Sequence, residues 1–144
     1  MLFNIKEKYS HEWDLNWRFD ALLGLACDIT LKYEERFEAY KRACEKAVKP
    51  PPELLIELAR CCYCPGKPPI SYEKSIELLK QSIMEHPYKQ AASLLKGIYA
   101  SKKDAENEEY WFKRMEQIDD ENLPKDRSER GNYYVVGFED FCIL

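Results

Sequence analysis

The sequence predicts an all-α fold: three stacked antiparallel helix pairs near 11–48, 52–86 and 88–118, followed by a short non-helical or strand-like tail. Three observations predict it. Apolar residues recur at spacings of three and four from Trp13 to Met115, the signature of buried helical faces. No stretch up to Ile118 alternates with period two, as a half-buried strand would. The pattern also returns on itself at an offset of 36 residues.

The elements follow in order. "WDLNWRFDALLGLACDITLKY" carries Trp13, Trp17, Phe19, Leu22, Leu23 and Ala26 on one helical face. "YEERFEAYKRACEKAVK" repeats this with Phe37, Tyr40, Ala43 and Ala47. Pro50, Pro51 and Pro52 stop that helix and pre-set the first turn of the next, because proline lacks the donor a helix interior needs but suits its N-terminal position. "ELLIELARCCY" then runs to a Pro/Gly break. "SYEKSIELLKQSIMEH" begins at Ser71, a residue able to cap it, and Pro87 opens "YKQAASLLKGIYASK". "DAENEEYWFKRMEQI" follows Asp104.

The offset lays Leu58 on Leu94, Ala59 on Leu95, Tyr63 on Tyr99, Ile76 on Phe112 and Leu79 on Met115. One period earlier, Leu22 and Leu23 fall on Leu58 and Ala59, and Tyr40 on Ile76. Burial is therefore expected at Leu58, Leu94, Leu95, Tyr63, Tyr99, Ile76, Phe112 and Met115. At these residues the chain resembles the tetratricopeptide class, particularly its Sel1-like branch. The resembling features are Leu94-Leu95 with Tyr99 after the small Ala91, Tyr110-Trp111-Phe112-Lys113 beyond them, and Leu58-Ala59 with Tyr63 and Gly66 one period earlier. The resemblance covers about 52–118 and implies a right-handed array. Ser75 departs from it, standing where Trp111 stands one repeat later.

Composition narrows the function. The 144 residues suffice for one domain with a real core, so neither metal nor disulfides are needed merely to fold. No apolar run approaches the ~20 residues that span a bilayer, so no membrane partner is expected. "MLFNIKEKYSHEWD" carries charge where a secretory signal needs an apolar block, which leads us to expect a cytoplasmic chain whose six cysteines stay reduced. Net charge is −4, against a phosphate backbone as a direct partner. All of it lies in 119–144, where seven acids face three bases, while 1–118 sum to zero.

Catalytic motifs are scarce. Cys61-x-x-Cys64 has zinc-ligand spacing, but a structural site needs four ligands and only Cys27, Cys44 and His86 could complete it. It also ends a helix, where the dipole disfavours thiolate, so redox chemistry of the thioredoxin kind is not expected. Cys61, Cys62 and Cys64 are read as small buried thiols packing between helices. His11 and His86 lack motifs, the five glycines form no phosphate loop, and Glu34-Glu35 and Glu108-Glu109 are adjacent acids on exposed helix faces. No enzyme, cofactor or metal is expected.

What remains is surface. The resemblance implies a concave wall, built from the first helix of each pair, that binds peptides or proteins. The offset carries it onto three stripes: Trp17, Ala21 and Gly24; Glu53, Glu57 and Arg60; Lys89, Ser93 and Lys96. The same positions also read as an ordinary polar surface with Trp17 in the core. Beyond the polar linker "DDENLPKDRSERG", the segment "NYYVVGFEDFCIL" is rich in aromatic and β-branched residues. It could form a strand or hairpin at 133–136 and 138–143, cap the last pair, or lie in the protein's own groove. If exposed, Tyr133, Tyr134, Phe138 and Phe141 beside Glu139 and Asp140 have the character of an interaction hot spot. Two function classes follow: an immunity protein neutralising a toxin, such as a basic nuclease, or an adaptor holding several proteins. An enzyme with unrecognised chemistry ranks third.

Overall fold

A computed structural model describes residues 2–118, with side chains from Asn4 onward; 119–144 and the strand expected there lie outside the described residues. The described chain is all-helical. Two short helices, α1 (Leu2–Lys8) and α2 (Ser10–Leu15), precede three packed pairs. These are α3 (Trp17–Ile29) with α4 (Tyr33–Lys46), α5 (Pro52–Arg60) with α6 (Tyr72–Glu85), and α7 (Lys89–Ser101) with α8 (Ala105–Gln117). Packing of α4 on α5 and of α6 on α7 joins the pairs.

The helix ends follow local chemistry. Ser71 accepts a hydrogen bond from the Lys74 amide at 3.2 Å and Asp104 one from Asn107 at 3.2 Å, so both cap as their side chains predict. Pro52 opens α5. The N-terminal region differs from expectation. Asn16 is extended and accepts the Arg18 amide at 3.0 Å, ending α2 and capping α3, so the single helix expected from Trp13 is two. The Trp13–Trp17 spacing runs through the break unchanged and conceals it.

The turns of the first and third pairs share one geometry. Leu31 (φ 59°) and Lys103 (φ 58°) are left-handed, and each is followed by an amide reaching back five residues, Lys32 to the Cys27 carbonyl at 2.8 Å and Asp104 to that of Tyr99 at 3.0 Å. Their positions differ by twice the 36-residue offset. In the middle pair, α5 instead runs into a 3-10 turn at Cys61–Tyr63 and a longer loop containing left-handed Gly66.

The main core runs through all three pairs, with Tyr40, Leu54, Leu58, Leu79, Leu95 and Trp111 among its members. A separate, smaller core lies among α2, α3 and α4, formed by Trp13, Phe19, Leu23, Cys27 and Ala39. Ser75 and Ser82 are fully buried on α6 and donate to the Ala59 and Pro52 carbonyls at 2.9 and 3.0 Å. Thus Ser75 and Trp111, one offset apart, both point inward; the serine links two helix backbones where the indole fills space.

Of the residues expected in the core, Leu58, Leu95 and Tyr99 are buried, while Leu94, Ile76 and Met115 are half-buried. Tyr63 and Phe112 correct the expectation, at 44% and 39% exposed. Tyr63 sits in the 3-10 turn, where the α-helical phase that buries Tyr99 is lost. On α8 the inward position goes to Trp111, which turns its neighbour Phe112 outward.

Candidate functional site

The two misplaced rings define a continuous feature. Tyr63 leaves the end of α5 and meets Tyr72 of α6 with ring centroids 6.1 Å apart. Its hydroxyl reaches over α7 so closely that a Cβ built on Gly97 would lie 3.0 Å from it. The adjacent Lys96 holds its ammonium 5.0 Å from the centroid of Phe112 on α8, a cation–π contact. Tyr72, Tyr63, Lys96 and Phe112 therefore form a stripe crossing α6, α7 and α8. Between Lys89 and Lys103 there are four lysines and no carboxylate, and Ser93 and Ala100 leave the exposed face of α7 low. Aromatic rings beside lysines on a small-residue floor suit apolar and anionic groups of another polypeptide.

The carried-over stripes are not alike in exposure. Ala21 and Gly24 are buried because α3 packs there against Tyr40. Glu53 is buried and accepts from the Tyr88 hydroxyl. Glu57 is buried too, its two oxygens accepting from Arg60 Nη1 at 2.9 and 3.1 Å. Trp17 and Arg60 are half-buried, with Arg18 over the Trp17 ring at 4.6 Å. Lys89 is exposed and Lys96 half-buried, so α7 presents the stripe most openly. Tyr133, Tyr134, Phe138, Glu139, Asp140 and Phe141 lie outside the described residues. Sequence reasoning assigned Tyr63 and Phe112 to the core; the Pro65-Gly66 break just after Tyr63 was the signal that its helix ends early.

Two buried polar clusters lie inside the array. Asp20, fully buried in the first turn of α3, accepts from Trp13 Nε1 at 3.1 Å and Arg42 Nε at 3.2 Å and pairs with Lys46, which also donates to the Trp13 carbonyl. It ties α2, α3 and α4 together. The second cluster surrounds the cysteines. Arg36 of α4 pairs with Asp28 and donates from Nη2 to Cys64 Sγ at 3.1 Å. Burial pushes the Cys61 thiol up to about 12, although Arg36 pulls the other way. A thiol so held stays protonated at neutral pH and is a poor nucleophile. The Tyr40 hydroxyl, also raised by burial and then by Glu57 and Asp28, has no hydrogen-bond partner. Among the described residues no three His, Cys, Asp or Glu side chains are grouped to hold a metal ion, and no helix is long and apolar enough to cross a membrane.

No protein family matches the chain, and no curated protein or solved structure matches it.

Proposed function

We propose that this chain is a non-catalytic, cytoplasmic, tetratricopeptide-like protein-binding protein, and specifically an immunity protein that captures and neutralises a basic toxin domain. The observation that carries the binding reading is the stripe of Tyr63, Tyr72, Lys96 and Phe112 across α6, α7 and α8, with the Tyr63 and Phe112 rings exposed. Rings left at a surface beside lysine are the residue types that anchor protein interfaces. The toxin reading draws on charge: the whole net charge of −4 lies in 119–144, which favours a basic partner.

The test uses the full chain as bait, beside a Tyr63→Ala/Phe112→Ala variant that retains helicity and melting temperature. The expected result is one basic partner bound in a 1:1 complex, toxic when expressed alone and harmless when co-expressed with this chain. Truncating the two rings should weaken binding by about 30-fold if together they supply ~2 kcal/mol. Recovery of several unrelated proteins at once, without toxicity, would establish an adaptor instead. A partner bound equally by both baits would remove the stripe from the interface.

A further inference from the structure

The stripe and the end of the chain are chemically matched. The stretch from Lys89 to Lys103 contains four lysines and no carboxylate. Of the acids on the flanking helices, Glu73 pairs with Lys102 and Glu109 with Lys113 at 2.8 Å. Residues 132–144 carry the opposite set: Tyr133, Tyr134, Phe138 and Phe141 around Glu139 and Asp140, with no basic residue. Reach is ample. Phe112 lies about 9 Å back along α8 from Ile118 at 1.5 Å per residue. The intervening 119–131 can span up to about 45 Å.

We infer that residues 132–144 of the same chain are an intramolecular ligand of the stripe, with Glu139 and Asp140 facing Lys96 and the aromatic side chains meeting Tyr63 and Phe112. The inference goes beyond the proposed function by giving it a competitor. In the free protein the stripe is covered, and any partner binds with an affinity reduced by the fraction of molecules whose stripe is open. A basic partner relieves this by drawing the acidic segment to itself, so release of the stripe and capture of the partner become one exchange.

The experiment needs no partner, so its failure is separable from failure of the function proposed above. A photoreactive benzoylphenylalanine replaces Phe112 in the full chain, which is irradiated at low concentration and mapped by peptide mass spectrometry. The expected result is an intramolecular crosslink to 132–144, lost in Glu139→Lys/Asp140→Lys and regained when Lys96→Glu is added. A second measurement leaves the stripe's rings intact: the maleimide labelling rate of Cys142, expected to be slow in the wild type and several-fold faster in Lys96→Glu. Crosslinks confined to other segments or to a second copy would overturn the inference, as would a yield indifferent to the charge reversals or a labelling rate unchanged by Lys96→Glu.

Discussion

The same substitution should have opposite signs at two helical glycines. Gly24 and Gly97 both lie inside helices, where alanine is favoured over glycine by about 1 kcal/mol. At Gly24 an added Cβ would stand 2.6 to 2.8 Å from three carbons of the Tyr40 ring. That ring is fully buried and packed between α3 and the main core, so it has nowhere to move. Overpacking of this kind costs about 1–3 kcal/mol, which outweighs the propensity gain and makes Gly24→Ala destabilising by up to about 2 kcal/mol. At Gly97 the nearest atom is the Tyr63 hydroxyl at 3.0 Å, the far end of a half-exposed side chain. A shift of a few tenths of an ångström suffices, so Gly97→Ala should stabilise by about 0.5–1 kcal/mol. Urea denaturation followed by far-UV circular dichroism reads both, provided the slope m stays constant. In a Tyr40→Leu background the Gly24→Ala penalty should largely vanish, because the two sites then no longer collide. A stabilising Gly24→Ala, or two glycines behaving alike, would refute the packing argument.

Four further outcomes follow from the buried groups and the surface pair. Tyr40→Phe removes a buried hydroxyl without a partner and should leave the denaturation midpoint unchanged or raise it. Asp20→Asn removes the carboxylate that Lys46 and Arg42 share and, with those two side chains 23% and 37% exposed, should cost about 1–3 kcal/mol, measured the same way. Burial holds the Cys44 and Cys61 thiols at about 12 against an ordinary 9.0. Because the folded values are the higher, their contribution is complete below pH 9 and lost as pH rises from there. A midpoint that falls no faster between pH 8 and 10 than in a Cys44→Ala/Cys61→Ala variant would exclude that linkage. The Glu73 carboxyl is held low, first by its hydrogen bond from Lys102. Its contribution is present at neutral pH and disappears as pH falls through the depressed value, so carboxyl NMR should report a low midpoint that returns to normal in Lys102→Met.

Much of the helical layout is legible in the sequence because its determinants are local. Ser71 and Asp104 cap the helices they precede, Pro52 opens α5, and the apolar spacing marks the inward faces. The matching turns at Leu31 and Lys103 lie twice the 36-residue offset apart, while the middle pair turns differently through Cys61–Tyr63 and Gly66. What the sequence conceals is non-local. Periodicity cannot reveal that Asn16 interrupts an apolar face that stays in register. The burial of Asp20 on α3 depends on Trp13 from α2 and on Arg42 and Lys46 from α4 converging on it. The stripe was missed for a related reason: Tyr63 and Tyr99 are equivalent in the offset, but only one remains in α-helical phase at the point of comparison.

The small second core gives the array a direction. Trp13 and its neighbours cover the first helix pair on a face the main core does not use, and the Asp20 cluster fastens that cover in place. Among the described residues α8 has no such cover, and Tyr110 and Phe112 stand exposed on it. Stacked helix pairs grow by adding a unit to an uncovered face. An additional helix pair grafted by design before α3 should be rejected, because it would have to displace Trp13 and break the hold of α2 and α4 on the Asp20 carboxylate.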